Sequence, residues 1–216
     1  MSGYEVAHLD ELERMPVDDE GLVWRPVRRR FGITAFGTNA YTAEKAGDRV
    51  VEEHFERDNH EELYVVLTGR ARFTLGDDER EAPAGTLVFV RPGTRRGAIA
   101  EEPGTTVLAV GAKSGVVHEP SKWEDWFAAG ALRRLGRHEE ARALMDASVE
   151  ANPGEWQGWY NRACYDALDG RLDEALAGLE RAVELAPDEA RRYAADDPDF
   201  GAIRDDPRFR RLAAAD

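Results

Sequence analysis

One change of periodicity, near residue 120, limits what this chain can fold into more than any other feature. Before it, short runs of alternating apolar residues stand between turn residues. Residues 63–67 end at Thr68 and Gly69, 71–75 at Gly76 to Asp78, 87–90 at Arg91 to Gly93, and 106–110 at Gly111. Residues 33–41 and 49–55 read as two more strands. Strands this short, at this spacing, predict an antiparallel sandwich or barrel. Upstream, Leu9 to Leu12 reads as a helical turn that Met15 and Pro16 end.

After residue 120 an alanine-rich helical pattern takes over and repeats with a lag of 34 residues. Ala129 recurs as Ala163, Gly136-Arg137 as Gly170-Arg171, Glu140-Ala141 as Glu174-Ala175, and Pro153 as Pro187. Each unit is predicted to be one helical hairpin stacked on the next. Gly136 and Gly170 fall where a hairpin turns, Pro153 and Pro187 where its second helix stops. The small residues at 129, 141, 163 and 175 permit close helix approach. Two hairpins leave open apolar ends, so residues 189–212 are expected to form a capping helix, with Phe200 and Phe209 against the last hairpin. Trp123, Trp126, Trp156 and Trp159 cluster at the start of this half, where their size suits packing between helices. The expected organisation is an extension over 1–30 packed on a β-barrel of 31–118, a connector at 119–122, and a helical domain over 123–216.

Hydrophobic residues make up 42% and charged residues 33%, values suited to a globular chain. No apolar run approaches the ~20 residues of a membrane helix. The net charge of −14 repels phosphates and anionic lipid heads, so neither nucleic acid nor membrane is an expected partner. The arginines at 28–30 and 208–211 read as solvated faces paired with the abundant acids. A single cysteine, Cys164, excludes an intrachain disulfide and a cysteine-based zinc cluster. The first five residues lack the layout of an export signal. Together these lead to the expectation of a cytoplasmic setting.

The residues that could carry chemistry lie in the first half. On a strand, His54 and Glu56 point to one side, and Glu62 opens the next strand. An imidazole and two carboxylates converging inside a barrel form a candidate site for Fe, Mn, Ni or Zn. His60-Glu61-Glu62-Leu63-Tyr64 has tyrosine where a zinc-protease helix needs its second histidine, and it reads as strand. There is no nucleophile elbow, phosphate loop or dinucleotide glycine fingerprint. None of the four serines, at 2, 114, 121 and 148, lies in a nucleophile context. Cys164 reads as a small core residue, and His8, His118 and His138 as surface residues.

The β half resembles the cupin superfamily over about residues 31 to 112. The first cupin motif is Gly-x5-His-x-His-x(3–4)-Glu-x6-Gly, and Glu62-x6-Gly69 fits its end. His54 fits the first histidine, one residue late after Gly47, and Glu56 stands in place of the second. Residues 84–96 resemble the second motif, with Arg96 in place of its histidine and no asparagine after it. The resemblance implies a jelly-roll barrel holding one divalent metal on three histidines and a glutamate. This chain keeps one histidine, adds a carboxylate and puts a permanent cation at the fourth place, and arginine cannot ligate. Two outcomes stay open. A metal is bound by His54, Glu56 and Glu62 with His60 recruited, or Arg96 is salt-bridged to Glu56 or Glu62 and the cavity takes a small polar ligand on Arg96, Tyr64 and Glu56.

The helical half resembles tetratricopeptide repeats from about residue 123 to 187. Trp159, Ala163, Gly170, Ala175, Leu179, Ala182 and Pro187 stand at that family's spacing, and Ala129, Gly136, Ala141, Met145 and Pro153 repeat it. Arg162 and Asp166 depart from it, at positions usually apolar or aromatic. The resemblance implies a protein or peptide partner. Three functions follow from the two resemblances: a regulatory or binding module, a metal-dependent dioxygenase or isomerase with Glu56 or Tyr64 moving a proton, or a structural homodimer without ligand.

Overall fold

The computed structural model describes residues 4–18, 21–57, 59–119 and 122–214. The chain forms two compact units, 1–121 and 122–216. Residues 120 and 121 of the expected connector, and the serines at 2 and 121, lie outside the described residues.

The first unit is a pair of antiparallel sheets. Its strands are β1 (Met15–Pro16), β2 (Leu22–Arg25), β3 (Gly37–Ala43), β4 (Arg49–His54), β5 (His60–Thr68), β6 (Arg70–Leu75), β7 (Asp78–Pro83), β8 (Leu87–Val90), β9 (Arg96–Ala100) and β10 (Thr106–Lys113). One sheet has the order β1-β2-β3-β10-β5-β8 and the other β4-β9-β6-β7. Alternation decides which side chains enter the space between them. Tyr64 and Val66 of β5, Ala71 and Phe73 of β6, and Val107 of β10 are all buried there. Arg70 and Arg72, which alternate with those β6 positions, pair with Glu81 and Glu79 on the outside.

Several boundaries differ from expectation. The N-terminal stretch, expected to pack on the barrel as an extension, supplies β1 and β2 to the larger sheet, with Trp24 fully buried. Met15 and Pro16 are therefore strand residues. Helix α1 (Val27–Phe31) follows, and β3 begins at Gly37 rather than at residue 33. Strands β7 and β9 carry no sequence signal of the usual kind. β7 is an edge strand of mostly charged residues with only Ala82 buried, and β9 packs small residues around Arg96.

The second unit is helical: α2 (Trp123–Arg134), α3 (His138–Ala151), α4 (Trp156–Leu168), α5 (Leu172–Leu185), α6 (Pro187–Asp196) and α7 (Pro207–Ala213), with a 3-10 segment over Pro198–Ile203. The ends of α2 and α4, the starts of α3 and α5, and the ends of α3 and α5 are each 34 residues apart. Gly136 and Gly170 both adopt φ +74°, which an L side chain rarely takes, and so turn each hairpin. Ala129, Ala141, Ala163 and Ala175 are all fully buried. Arg162 and Asp166 are held in a polar network across α3 and α4. Arg142 donates to Asp166 at 2.9 Å, and Arg162 donates to Asp146 at 2.6 Å.

The tail caps the array with two short helices and the 3-10 segment rather than with one helix. Phe200 and Phe209 sit 5.5 Å apart in the core, and Phe200 meets Tyr160 edge-on at 5.5 Å. Trp156 stacks on Tyr193. Cys164 is buried beside Asp197, and burial pushes its thiol far up, so it stays protonated. Replacing Phe200 by Ala removes the ring that joins the tail to α4. It is expected to lower the stability of the helical unit by about 3–5 kcal/mol in denaturant unfolding.

Candidate functional site

The site forms where the ends of several strands face each other between the sheets. His54 closes β4 and Arg96 opens β9, and the two are register partners. Across the gap, β5 presents His60, Glu62 and Tyr64 on one face, because side chains two apart share a side. Glu56 lies in the loop between β4 and β5. Its carbonyl accepts from the Gly93 N–H at 2.8 Å, which ties that loop to the turn before β9.

Glu62 Oε2 is the centre. Tyr64 donates to it at 2.6 Å, Arg96 Nε lies at 3.3 Å and His54 Nε2 at 3.4 Å. His54 Nε2 also lies 3.9 Å from Glu56 Oε1, and Glu56 Oε2 is 3.5 Å from His60 Nδ1. The structure thus brings together all six residues singled out in the sequence. His118, expected at the surface, is half-buried beside Gly37, whose β-carbon would lie 3.7 Å from its ring. His8 and His138 lie elsewhere, paired with Asp10 and Asp169.

Hydrogen bonding fixes the protons. His54 Nδ1 is 2.8 Å from the Glu52 carbonyl, which can only accept, so Nδ1 carries a hydrogen. Nε2 then faces two carboxylates and needs a cation between: a proton or a metal ion. The hydrogen bond to Glu62 raises the His54 pKa above its ordinary value, against the lowering effect of burial. Burial alone would raise the Glu62 carboxyl, but hydrogen bonds from His54 and Tyr64 and the charges of His54 and Arg96 hold it below the ordinary range. Burial and the neighbouring Glu62 push the Tyr64 hydroxyl far up, so it stays a donor.

Depth separates the roles. The Arg96 side chain is 0% exposed and Glu62 13%, whereas His60, Glu56 and His54 are 26%, 33% and 35% exposed. Arg96 and Tyr64, expected to touch a ligand, are enclosed against Glu62. His54, Glu56 and His60 are the members of the cluster that reach solvent. Arg96 Nη2 donates weakly to the Arg91 carbonyl at 3.4 Å, and Nε and Nη1 have no hydrogen-bond partner among the described residues, so Arg96 meets Glu62 as an ion pair. Removing Glu62 would leave a buried charge uncompensated, a loss of about 3–5 kcal/mol for a fully buried pair.

Gly111 belongs to the site although nothing in its own segment announces it. A glycine straight after an apolar run predicts the end of a strand, but β10 runs on to Lys113, and Gly111 lies opposite Glu62 in register. A β-carbon there would sit 2.6 Å from His60 Nε2 and 3.2 Å from Glu62 Cγ. Its lack of a side chain is what lets both residues lie across the strand. The signal was a glycine directly after an apolar run, and only the cross-strand register gives it meaning.

The donor types suit a divalent ion, since His54, Glu56 and Glu62 offer one ligand atom each within 4.8 Å of one another. The charge balance does not suit one. Arg96 is already seated against Glu62, whose Oε2 takes the Tyr64 hydrogen bond with Arg96 Nε and His54 Nε2 beside it. Replacing the His54 proton with a divalent ion would leave excess positive charge against a buried guanidinium.

Residues 43–112 match the family model described as the cupin domain, so the N-terminal part carries a cupin domain. No match is found among curated proteins. Among solved structures, the chain is similar to KdgF from a Halomonas species, at 20% identity and a TM-score of 0.41, over 47% of this chain and 88% of that one. It is similar to an RmlC-like cupin protein from Desulfovibrio desulfuricans at 27% identity and a TM-score of 0.41, over 50% and 97%. It is also similar to a predicted oxalate decarboxylase from Thermotoga maritima at 18% identity and a TM-score of 0.41, over 50% and 99%.

A raised histidine pKa stabilises the fold below the unfolded value and loses that contribution as pH rises through the folded value. A depressed carboxyl contributes above its unfolded value and loses that contribution on acidification. The network is therefore most stabilising between the ordinary values of 4.5 for Glu62 and 6.5 for His54. In chelator-treated protein, thermal stability relative to His54→Gln is expected to fall as pH rises above about 6.5. Melting curves across pH check this, and a difference that grows with pH would contradict it.

Proposed function

We propose that the cupin domain is a small-molecule-binding module that works without a metal, and that its role is regulatory rather than catalytic. The observation that carries this reading is the buried Arg96 against Glu62, opposite His54. It places a fixed organic cation beside the carboxylate that a metal would need. The open rim of His54, Glu56 and His60 offers hydrogen-bond donors and acceptors to a small polar ligand. Tyr64 is committed to Glu62 and far from ionising, which removes one of the two side chains, with Glu56, considered for proton transfer.

The helical unit fits two tetratricopeptide-like hairpins, α2–α3 and α4–α5, with α6 and α7 as the cap. The recurrence of helix ends at 34 residues and the two left-handed glycines support this arrangement. A repeat array of this kind docks a protein or peptide, so a ligand signal and a protein partner would meet in one chain. The one cysteine, buried and protonated, agrees with a reducing, cytoplasmic setting.

A second reading has its own observation. The Nδ1 contact of His54 with the Glu52 carbonyl leaves Nε2 facing two carboxylates, as a metal-facing imidazole would be held. In that reading His54, Glu56 and Glu62 hold the ion, His60 is in reach of Glu56, and the metal supplies Lewis-acid chemistry or oxygen activation.

Elemental analysis of protein purified without chelators separates the two. The metal-free reading predicts Fe, Mn, Ni and Zn far below one ion per chain, and no rise in Tm on adding them. It also predicts a rise in Tm with a member of a panel of small polar compounds, abolished by Glu56→Ala. One equivalent of metal, lost in Glu62→Gln, would overturn it in favour of the metal-dependent enzyme.

A further inference from the structure

Ion pairs cover the outside of the cupin domain. Arg49 pairs with Asp18, Arg70 with Glu81 and Arg95 with Glu53. Such pairing is expected of a chain with 43 acidic residues against 29 basic ones. Arg57 and Arg91 break the pattern. Both are exposed, and neither meets a carboxylate among the described residues. A guanidinium left unanswered in so acidic a chain is open to an anion from outside.

Both arginines stand at the open end of the pouch. Arg57 lies in the loop from β4 to β5 and Arg91 in the turn from β8 to β9. The hydrogen bond from the Gly93 N–H to the Glu56 carbonyl joins these two segments. The Arg57 carbonyl accepts from the His60 N–H at 3.1 Å, and the Arg91 carbonyl accepts from Arg96 Nη2 at 3.4 Å. Each arginine is thus one hydrogen bond away from a member of the cluster. Each also follows a phenylalanine two positions back, in Phe55-Glu56-Arg57 and Phe89-Val90-Arg91. The Arg57 guanidinium lies 4.9 Å from the centre of the Phe55 ring, and that of Arg91 lies 5.4 Å from the centre of the Phe89 ring. A ring under one face of a guanidinium steadies it and leaves its in-plane N–H fork free for an oxyanion.

We propose that the ligand of the pouch is a small organic anion. Arg57 and Arg91, one on each lip, take its acidic groups, and His54, Glu56 and His60 meet its polar middle. This rests on the small-molecule reading above and adds the charge of the ligand to it. The Glu56 carboxylate shares the rim, but His60 Nδ1 at 3.5 Å and His54 Nε2 at 3.9 Å lie beside it, so it serves as an acceptor for hydroxyl groups. Size follows from the net charge of −14, which repels an extended polyanion over the rest of the surface. A small anion feels chiefly the two cations next to it, because salt screens the more distant acids.

NMR of the arginine side-chain N–H groups tests this, with the full chain titrated by tartrate, by fructose bisphosphate and by neutral erythritol. Saturable shifts at Arg57 and Arg91 are expected with one or both anions, and none with erythritol. A response to tartrate alone assigns carboxylates to the lips, and a response to the bisphosphate alone assigns phosphates. Arg57→Gln with Arg91→Gln is expected to weaken the anion by at least about 10-fold. Melting of that variant without ligand should change little, since both side chains are exposed. Arg49→Gln with Arg70→Gln removes the same charge elsewhere and should leave the affinity nearly unchanged. No saturable shift with either anion, an equal loss from the two pairs of substitutions, or erythritol bound as tightly as the anions would overturn the proposal. Elemental analysis of the same sample tests the metal-free reading separately, so the two failures are told apart.

Discussion

Glu62 has to be held charged at the inner end of a barrel, and the pouch is built around that requirement. One of its oxygens accepts from Tyr64, with Arg96 Nε and His54 Nε2 at ion-pair distance. Each partner comes from a different place: Tyr64 from the same strand, Arg96 from β9 of the facing sheet, and His54 from the end of β4. The carboxylate therefore ties the two sheets together at the open end of the domain. A guanidinium with 0% exposure is tolerable there because its charge is met at once. Closing the lower half in this way leaves the rim of His54, Glu56 and His60 as the part that meets solvent and any ligand.

The local devices around this pair serve it. The register of His54 with Arg96 puts two cationic groups side by side, and only the carboxylates opposite make that arrangement stable. The bond from His54 Nδ1 to the Glu52 carbonyl fixes the ring. Gly111 clears the space over which His60 and Glu62 lie. A side chain at Gly111 would press directly on His60 and Glu62.

Much of this was legible in the sequence. Strands β5, β6, β8 and β10 announced themselves by alternation, and the helical hairpins by a lag that fixed their turns at Gly136 and Gly170. His54, Glu56, Glu62 and Arg96 stood out because glycine-bounded strand motifs frame them. What stayed hidden was non-local. β7 looks like a charged loop because an edge strand with both faces near water needs no apolar alternation. β9 looks featureless because its buried residues are small and its one large side chain is charged. That Arg96 and Tyr64 lie sealed, while His54 and Glu56 lie open, depends on the depth of each strand end between two sheets. No spacing within one segment records that. The tail resolved into two short helices because Pro198 and Pro207 each restart the chain in a new direction.

The central claim is that a proton on His54, not a metal ion, completes the charge balance with Arg96, Glu56 and Glu62. Nitrogen NMR of the imidazoles in protein purified without chelators reads this directly at neutral pH. Two protonated ring nitrogens on His54, unchanged by added chelator, are predicted. A neutral ring with Nε2 shifted by a bound ion, and restored by chelator, would contradict the account.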